Sequence, residues 1–227
     1  MKTSIKLVVF DMAGTTVNEN NVVYKTLQKA INNAGANVSL DFVLKHGAGK
    51  EKHQAIKDIL NNLESLDKKN YSSINIFEDF KTLLNLAYIN LEVSPCHGVE
   101  QLFTLLKKAE IKIALNTGYN SAVANTLLNK LNWKQGYHYD TLITASDVDK
   151  GRPHPDMIYK AMKDLNIANT ENVLKVGDSI IDIEEGKNAS CGVTIGVTTG
   201  AHTRNQLKTA NPTYIFDSIL ELKKILA

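Results

Sequence analysis

The sequence predicts an α/β fold: an open, doubly wound parallel sheet with a block of helices inserted near its start. Three observations carry this expectation. From about residue 98 onward, short apolar runs alternate with amphipathic helical patterns, the βαβα order of a parallel sheet. One further strand-like run, residues 5–10, stands apart at the N-terminus. Between the two, residues 18–93 show helical periodicity and no convincing strand.

In chain order, the first run ends on Asp11, and a tight turn through Gly14 follows. A continuous apolar run of this kind suits a strand buried on both faces. In residues 18–93, Ala55, Ile56, Ile59, Leu60 and Leu63 recur with helical spacing, as do Phe77, Phe80, Leu83, Leu84 and Ala87. The links near residues 16–20 and 93–97 then act as hinges, and an insert at a sheet's ligand-binding edge is placed to be a lid. The remaining strands are expected at 112–115, 141–144, 173–176, 193–197 and 214–216, with helices at 99–108, 121–131, 155–165 and 181–189. The resulting division is a core of 1–17 with 94–227, and a helical unit of 18–93.

Composition narrows the class. The chain has 227 residues, is 43% apolar and carries a net charge of +2, so a globular protein is expected. No basic tract points to nucleic acid or to a membrane surface. No apolar run approaches the ~18 residues of a membrane span, and the N-terminus lacks a signal-peptide core, so a cytoplasmic protein is expected. Cys96 and Cys191 have no partners at metal-ligand spacing. The only arginines are Arg152 and Arg204, and a guanidinium in a lysine-rich chain suits bidentate phosphate binding.

Four polar signals follow predicted strands: Asp11, Thr117, Arg152 in Gly151-Arg152-Pro153, and Asp178 with Asp182 one helical turn later. Parallel strands point their C-terminal ends the same way, so these residues should converge. Two carboxylates at one edge suit a hard cation such as Mg²⁺, and with the metal in place Asp11 can attack phosphorus. Thr117 and Arg152 would hold the phosphoryl oxygens. Gly14 and Gly118 let backbone N–H groups approach the anion. Singly, each residue has a structural alternative: Asp178 as a helix N-cap, Thr117 as a turn residue, Arg152 as a surface residue, Asp11 as an Asx-turn. Together, in order and each after a strand, they favour a phosphoryl-transfer site. The segment Thr198-Thr199-Gly200-Ala201-His202 follows another strand and can reach the site's rim.

The motifs Asp11-Met12-Ala13-Gly14-Thr15, Asn116-Thr117-Gly118, Gly151-Arg152-Pro153 and Gly177-Asp178-Ser179-Ile180-Ile181-Asp182 resemble those of the haloacid dehalogenase superfamily of hydrolases. The resemblance implies a Rossmann-like core, a mobile α-helical cap and Mg²⁺ dependence. It makes Asp11 the nucleophile, with Thr117 and Arg152 on the phosphoryl group and Gly14, Thr15, Gly118 and Tyr119 lining the substrate site. It also places Asp11, the Ala13 carbonyl and Asp178 on the metal, with Asp182 supporting it.

Ala13 is the discriminating residue. Phosphatase members carry a general-acid aspartate at that position, whereas the phosphonatase branch, which cleaves a C–P bond, carries alanine. That branch replaces the acid with a cap lysine that forms an imine with the substrate aldehyde. The segment His46-Gly47-Ala48-Gly49-Lys50-Glu51-Lys52-His53 resembles its cap pattern. It therefore assigns the imine to Lys50, with Gly47 and His53 contacting substrate. Lys50 and His53 are expected on one face at the start of a helix, where the dipole lowers an amine's pKa. The chain departs from the branch at Met12 and His46. The resemblance implies a small phosphonate or phosphate substrate and a monomer or homodimer. Two alternatives stand beside phosphonatase chemistry: a phosphatase for a small metabolite, such as phosphoglycolate, and a non-catalytic phosphate-binding regulator.

Overall fold

Val8 and Phe10 point into one apolar layer and Leu7 and Val9 into the other, so β1 (Leu7–Asp11) is covered on both faces. That alternation follows from the two-residue period of a strand, and it explains the unbroken apolar run. The computed structural model describes residues 5–63, 71–89 and 91–226. Its main sheet has six parallel strands in the order β5-β4-β1-β6-β7-β8, with β4 at Lys112–Thr117, β5 at Thr141–Thr144, β6 at Val173–Gly177, β7 at Val193–Val197 and β8 at Tyr214–Phe216. All six expected strands are present. The helices α5 (Val99–Lys108), α6 (Ser121–Lys130), α7 (Asp156–Asp164) and α8 (Ile180–Asn188) lie within a residue or so of their expected spans. Two shorter helices, α9 (Arg204–Thr209) and α10 (Lys223–Leu226), complete the core.

The strand order reverses at β1, which pairs with β4 on one side and β6 on the other. Such a switch point opens a crevice at the carboxyl ends of the strands. Register levels the chemistry there: Asp11 lies opposite Asn116, and Phe10 opposite Val176. Asp11, Thr117 and Asp178 thus leave adjacent strands at one edge.

The helices α1 (Val22–Asn33), α2 (Leu40–Gly47), α3 (Lys52–Asn61) and α4 (Ser73–Ile89) form the inserted cap. Leu27, Ile31, Ile56, Ile59, Ile76 and Phe80 are buried among them. The two links to the core pair with each other as a two-residue antiparallel ladder, β2 (Val17–Asn18) with β3 (Ser94–Pro95). A ladder that short has no sequence period, which is why the links read only as hinges. Cys96 N donates to Thr16 O at 2.9 Å, a second tie between them. The expected domain extents include residues 1–4, 64–70, 90 and 227, which lie outside the described residues. Among the described residues no helix is long and apolar enough to cross a membrane.

Candidate active site

Three carboxylates, Asp11, Asp178 and Asp182, place oxygens within 4.8 Å of one another, all buried. Asp11 ends β1 and Asp178 directly follows β6. Asp178 accepts from Thr15 Oγ1 at 3.3 Å and from Ala201 N at 2.5 Å. The second contact comes from the 198–202 loop, which the sequence places at the rim. A Cβ on Gly14 would sit 2.5 Å from Asp178 Oδ2, and one on Gly200 would overlap the same carboxylate. Both glycines are thus required by close approach, and Gly14 also holds φ +78°.

Arg152 ties this edge together from beneath. Its Nη1 lies 2.7 Å from Asp11 Oδ1 and 3.1 Å from Asp182 Oδ1, and its Nε donates to Glu185 Oε2 at 3.1 Å. Its Nη2 donates to the Asn116 carbonyl and side-chain oxygen at 2.9 and 2.6 Å. Lys175, buried in the middle of β6, reaches Asn116 Oδ1 at 2.6 Å and both Asp182 Oδ1 and Glu185 Oε2 at 3.0 Å. Asn116 Nδ2 returns hydrogen bonds to Glu185 at 2.9 and 3.0 Å. Arg152 was expected on phosphoryl oxygens; in the structure every one of its nitrogens has a protein partner, and its bond to Asp11 orients that carboxylate.

Electrostatics fit a divalent cation. Four buried carboxylates, Asp11, Asp178, Asp182 and Glu185, face two buried cations, Arg152 and Lys175. The set is two positive charges short of balance. Burial pushes Asp11 up to about 6 against the pull of Arg152. Burial, then the Asp11 and Asp182 charges, push Asp178 well above the ordinary carboxylate range. Burial also works against ionised Asp182, but Arg152 and Lys175 outweigh it and hold that group low. An all-oxygen donor set of this kind matches a hard cation. Asp11 and Asp178 could serve as its direct donors, with the Ala13 carbonyl on the adjoining turn. Asp182 is already engaged by Arg152, Lys175 and Ser179, whose Oγ donates at 2.5 Å.

Thr117 ends β4, buried, and its Oγ1 accepts from Tyr119 N at 3.2 Å. That leaves its O–H to donate to an anion. Gly118 faces the cap: a Cβ there would lie 2.9 Å from Gly49 O and 3.0 Å from Lys50 O. Gly49, at φ +76°, presses on the first turn of α8, where a Cβ would overlap Ile181 and meet Ser179 Oγ at 2.7 Å. The loop between α2 and α3 is thus seated on the core, next to Thr117 and Asp178.

Within that loop the lysines differ from expectation. Glu51 is the N-cap of α3, accepting from His53 N and Gln54 N at 2.9 Å, so the helix begins at Lys52 and Lys50 precedes it. Lys50 Nζ is paired with Asp58 and is partly exposed. His53 lies against Ser73 at 3.3 Å and stacks on Phe77, and Gly47 packs on Ala55 and Ile59. The Lys50 and His53 side chains thus contact residues of the cap. Lys52 instead is buried, its Nζ 5.0 Å from the Tyr24 ring centre and 5.2 Å from that of Tyr119. Burial pushes its amine down to about 8, with Asp11 the largest opposing charge.

Other residues that sequence reading passed over are Lys175, Glu185 and Glu19. A lysine amid the apolar run of a central strand was the signal for Lys175. Glu19, in the first hinge, is buried, accepts from Val23 N at 3.2 Å and is pushed up to about 7 by burial. Cys96, in the second hinge, is pushed up to about 12 by burial, which keeps it a thiol and out of nucleophilic chemistry. The Tyr88 and Tyr119 hydroxyls are buried with no hydrogen-bond partner among the described residues.

A buried carboxylate cluster at a switch point beneath a helical insert is the arrangement on which the family comparison falls: residues 5–190 match the haloacid dehalogenase-like hydrolase family, to which this chain belongs. Among curated relatives, phosphonoacetaldehyde hydrolase of Latilactobacillus sakei is 31% identical over 99% of this chain and 96% of its own length. The enzyme of the same name from Bacillus cereus is 31% identical over 87% of this chain and 77% of its own. Among solved structures, a phosphonoacetaldehyde hydrolase-like protein from Oleispira antarctica superposes with a TM-score of 0.84 at 22% identity, covering 99% of this chain and 92% of that one. A predicted phosphoglycolate phosphatase from Haemophilus somnus gives 0.80 at 19% identity, covering 98% of each. At these identities the solved structures speak for the fold.

Proposed function

We propose that the protein hydrolyses the C–P bond of a small 2-oxoalkylphosphonate, phosphonoacetaldehyde being the simplest, with Mg²⁺ as the cation. The observation that carries this reading is the pairing of Asp11 with an amine-bearing cap loop, while residue 13 is an alanine with no acid to offer. A C–P bond breaks heterolytically only if the carbon can hold the electron pair. A carboxylic acid does little for that; an imine at the neighbouring carbon accepts the pair as an enamine. The Latilactobacillus sakei relative, which aligns over nearly the whole chain, bears the name of that activity.

In this reading Arg152 holds Asp11 with one oxygen toward phosphorus, and Asp11 attacks to form an aspartyl phosphate. Thr117 donates to a phosphoryl oxygen, and the seated cap excludes water until the leaving group has gone. Mg²⁺, held by Asp11, Asp178 and the Ala13 carbonyl, would neutralise the phosphoryl charge against the carboxylates. The cap amine belongs to the Lys50–Lys52 stretch, where the family pattern points to Lys50.

Acetaldehyde and phosphate should appear in equal amounts from phosphonoacetaldehyde, depend on Mg²⁺ and stop on chelation. Absence of both products under saturating Mg²⁺ would end this reading. A phosphomonoesterase is the second reading, and Glu19 favours it: a buried hinge carboxyl pushed up to about 7 is an acid available near neutrality. Hydrolysis of phosphoglycolate that is lost in Glu19→Gln would select it.

A further inference from the structure

We propose that His202 is a positioning residue that fastens the helical cap to the core, through its imidazole Nε2–H and the Leu44 carbonyl in the last turn of α2. The fastening goes beyond the C–P reading and holds for either substrate class.

The residue sits at a junction. His202 closes the 198–202 loop on the site's rim and is 5% exposed. Its backbone N–H donates to the Asp178 carbonyl at 3.1 Å, next to Ala201, whose N–H donates to the Asp178 carboxylate. On the core side its ring Nδ1 accepts from the N–H of Ile180, the first residue of α8, at 2.9 Å. That N–H is one of the four that a helix start leaves without an internal partner. A ring nitrogen that accepts carries no proton, so the neutral imidazole holds its hydrogen on Nε2.

The Nε2 side faces the cap. Nε2 is buried and has no full hydrogen bond among the described residues, and the Leu44 carbonyl is the backbone oxygen that acts on it. Leu44 lies in the last turn of α2, and its oxygen already accepts from Ala48 N at 3.0 Å. A carbonyl has a second lone pair to offer. The ring is thus matched to both helices. Its bare nitrogen meets the positive start of α8, and its N–H meets the negative end of α2. A buried donor without an acceptor is costly, which favours the cap position that brings Leu44 into reach.

The consequence is for catalysis. α2 runs through Gly47 and Ala48 into Gly49 and Lys50, whose carbonyls lie against Gly118. Fastening α2 therefore sets where that loop sits beside Thr117. The two hydrogen bonds that hold Asp178 from this side come from backbone N–H groups, so they do not need the imidazole. Removing the ring should loosen the cap and spare the cation site.

Two variants separate the ring's nitrogens. In His202→Asn the amide oxygen can take the place of Nδ1, and the side chain falls short of Leu44. In His202→Gln an amide N–H can reach the place of Nε2. Hydrogen exchange of the full chain, read by mass spectrometry, reports on the cap directly. Exchange in residues 40–50 should rise roughly 2- to 10-fold in His202→Asn, the worth of one hydrogen bond, and return toward wild type in His202→Gln. The kcat/KM for phosphonoacetaldehyde should fall by the same factor in His202→Asn and recover in His202→Gln. Magnesium titration without substrate should give the wild-type affinity in both. Unchanged exchange over residues 40–50 in His202→Asn overturns the proposal. So does Mg²⁺ binding that weakens in step with turnover, because His202 would then act on the Asp178 loop and not on the cap. Exchange raised across the sheet as much as in α2 marks general destabilisation and overturns it as well. If the wild type does not turn over phosphonoacetaldehyde, the C–P reading falls and the exchange result still decides the role of His202.

Discussion

The core edge and the cap loop meet at one site, yet they are built on different principles. At the core edge the two cations are locked: Arg152 and Lys175 together contact Asp11, Asp182, Glu185 and Asn116. In the cap loop, Lys52 is buried between two aromatic rings with a backbone carbonyl as its hydrogen-bond partner. The core holds its charges by pairing them; the cap holds one by enclosing it. The paired cations are held in place and suit positioning, whereas burial pushes the enclosed amine down to about 8, so that it can change protonation state near neutrality.

The largest effect should come from the core. Asp11→Asn keeps the side chain's size and removes the nucleophile, so turnover of any substrate should fall at least about 10⁴-fold, measured as phosphate release. A smaller loss would mean that Asp11 is not the attacking group. Lys175→Met removes one half of the paired system and leaves Asp182 and Glu185 under-compensated. Breaking a buried pair in this way costs about 3–5 kcal/mol, and urea unfolding should show it. A loss below 1 kcal/mol would mean that the network is no more than a surface-type ion pair.

The hinge gives a contrast in sign. Glu19 is pushed from its ordinary 4.5 up to about 7 in the fold. Between those values the unfolded chain has released its proton and the folded one has kept it, so stability falls as pH rises. The loss is complete above about pH 7 and amounts to about 3 kcal/mol. Glu19→Gln should remove that slope, gaining on the wild type from pH 5 to pH 8 in a thermal-melt series. Parallel pH profiles for the two proteins would contradict it.

The smallest effect tests the seating of the cap. Gly49→Ala puts a methyl against Ile181 at a backbone angle that alanine resists. Such overpacking costs typically 1–3 kcal/mol. Turnover should drop with little change in Mg²⁺ binding, since Asp11 and Asp178 are untouched; magnesium titration and kcat together report on this. Equal losses in both would place the strain in the core instead.

How much of this was legible in the sequence follows the same division. Asp11, Thr117 and Asp178 were readable because a parallel sheet aligns its strand ends, so order along the chain becomes adjacency in space. Arg152 was found from its motif, but its partner was not, since nothing in the spacing says that a guanidinium turns toward Asp11. Lys175 was hidden inside an apolar run, where a strand's period assigns it to the core. The cap loop was the least legible region because which of its lysines lies in a helix depends on where α3 begins. With Glu51 as N-cap, Lys50 falls outside the helix and the dipole argument moves two residues along. A shift of two positions turns a helical side chain toward the opposite face.

In the proposed reaction Asp11 and a cap lysine act together on a C–P bond. Phosphorus NMR of phosphonoacetaldehyde with the protein and Mg²⁺, beside a panel of phosphate esters, tests it most directly. The phosphonate resonance should give way to inorganic phosphate while the esters persist. Esters consumed beside an unchanged phosphonate would contradict it.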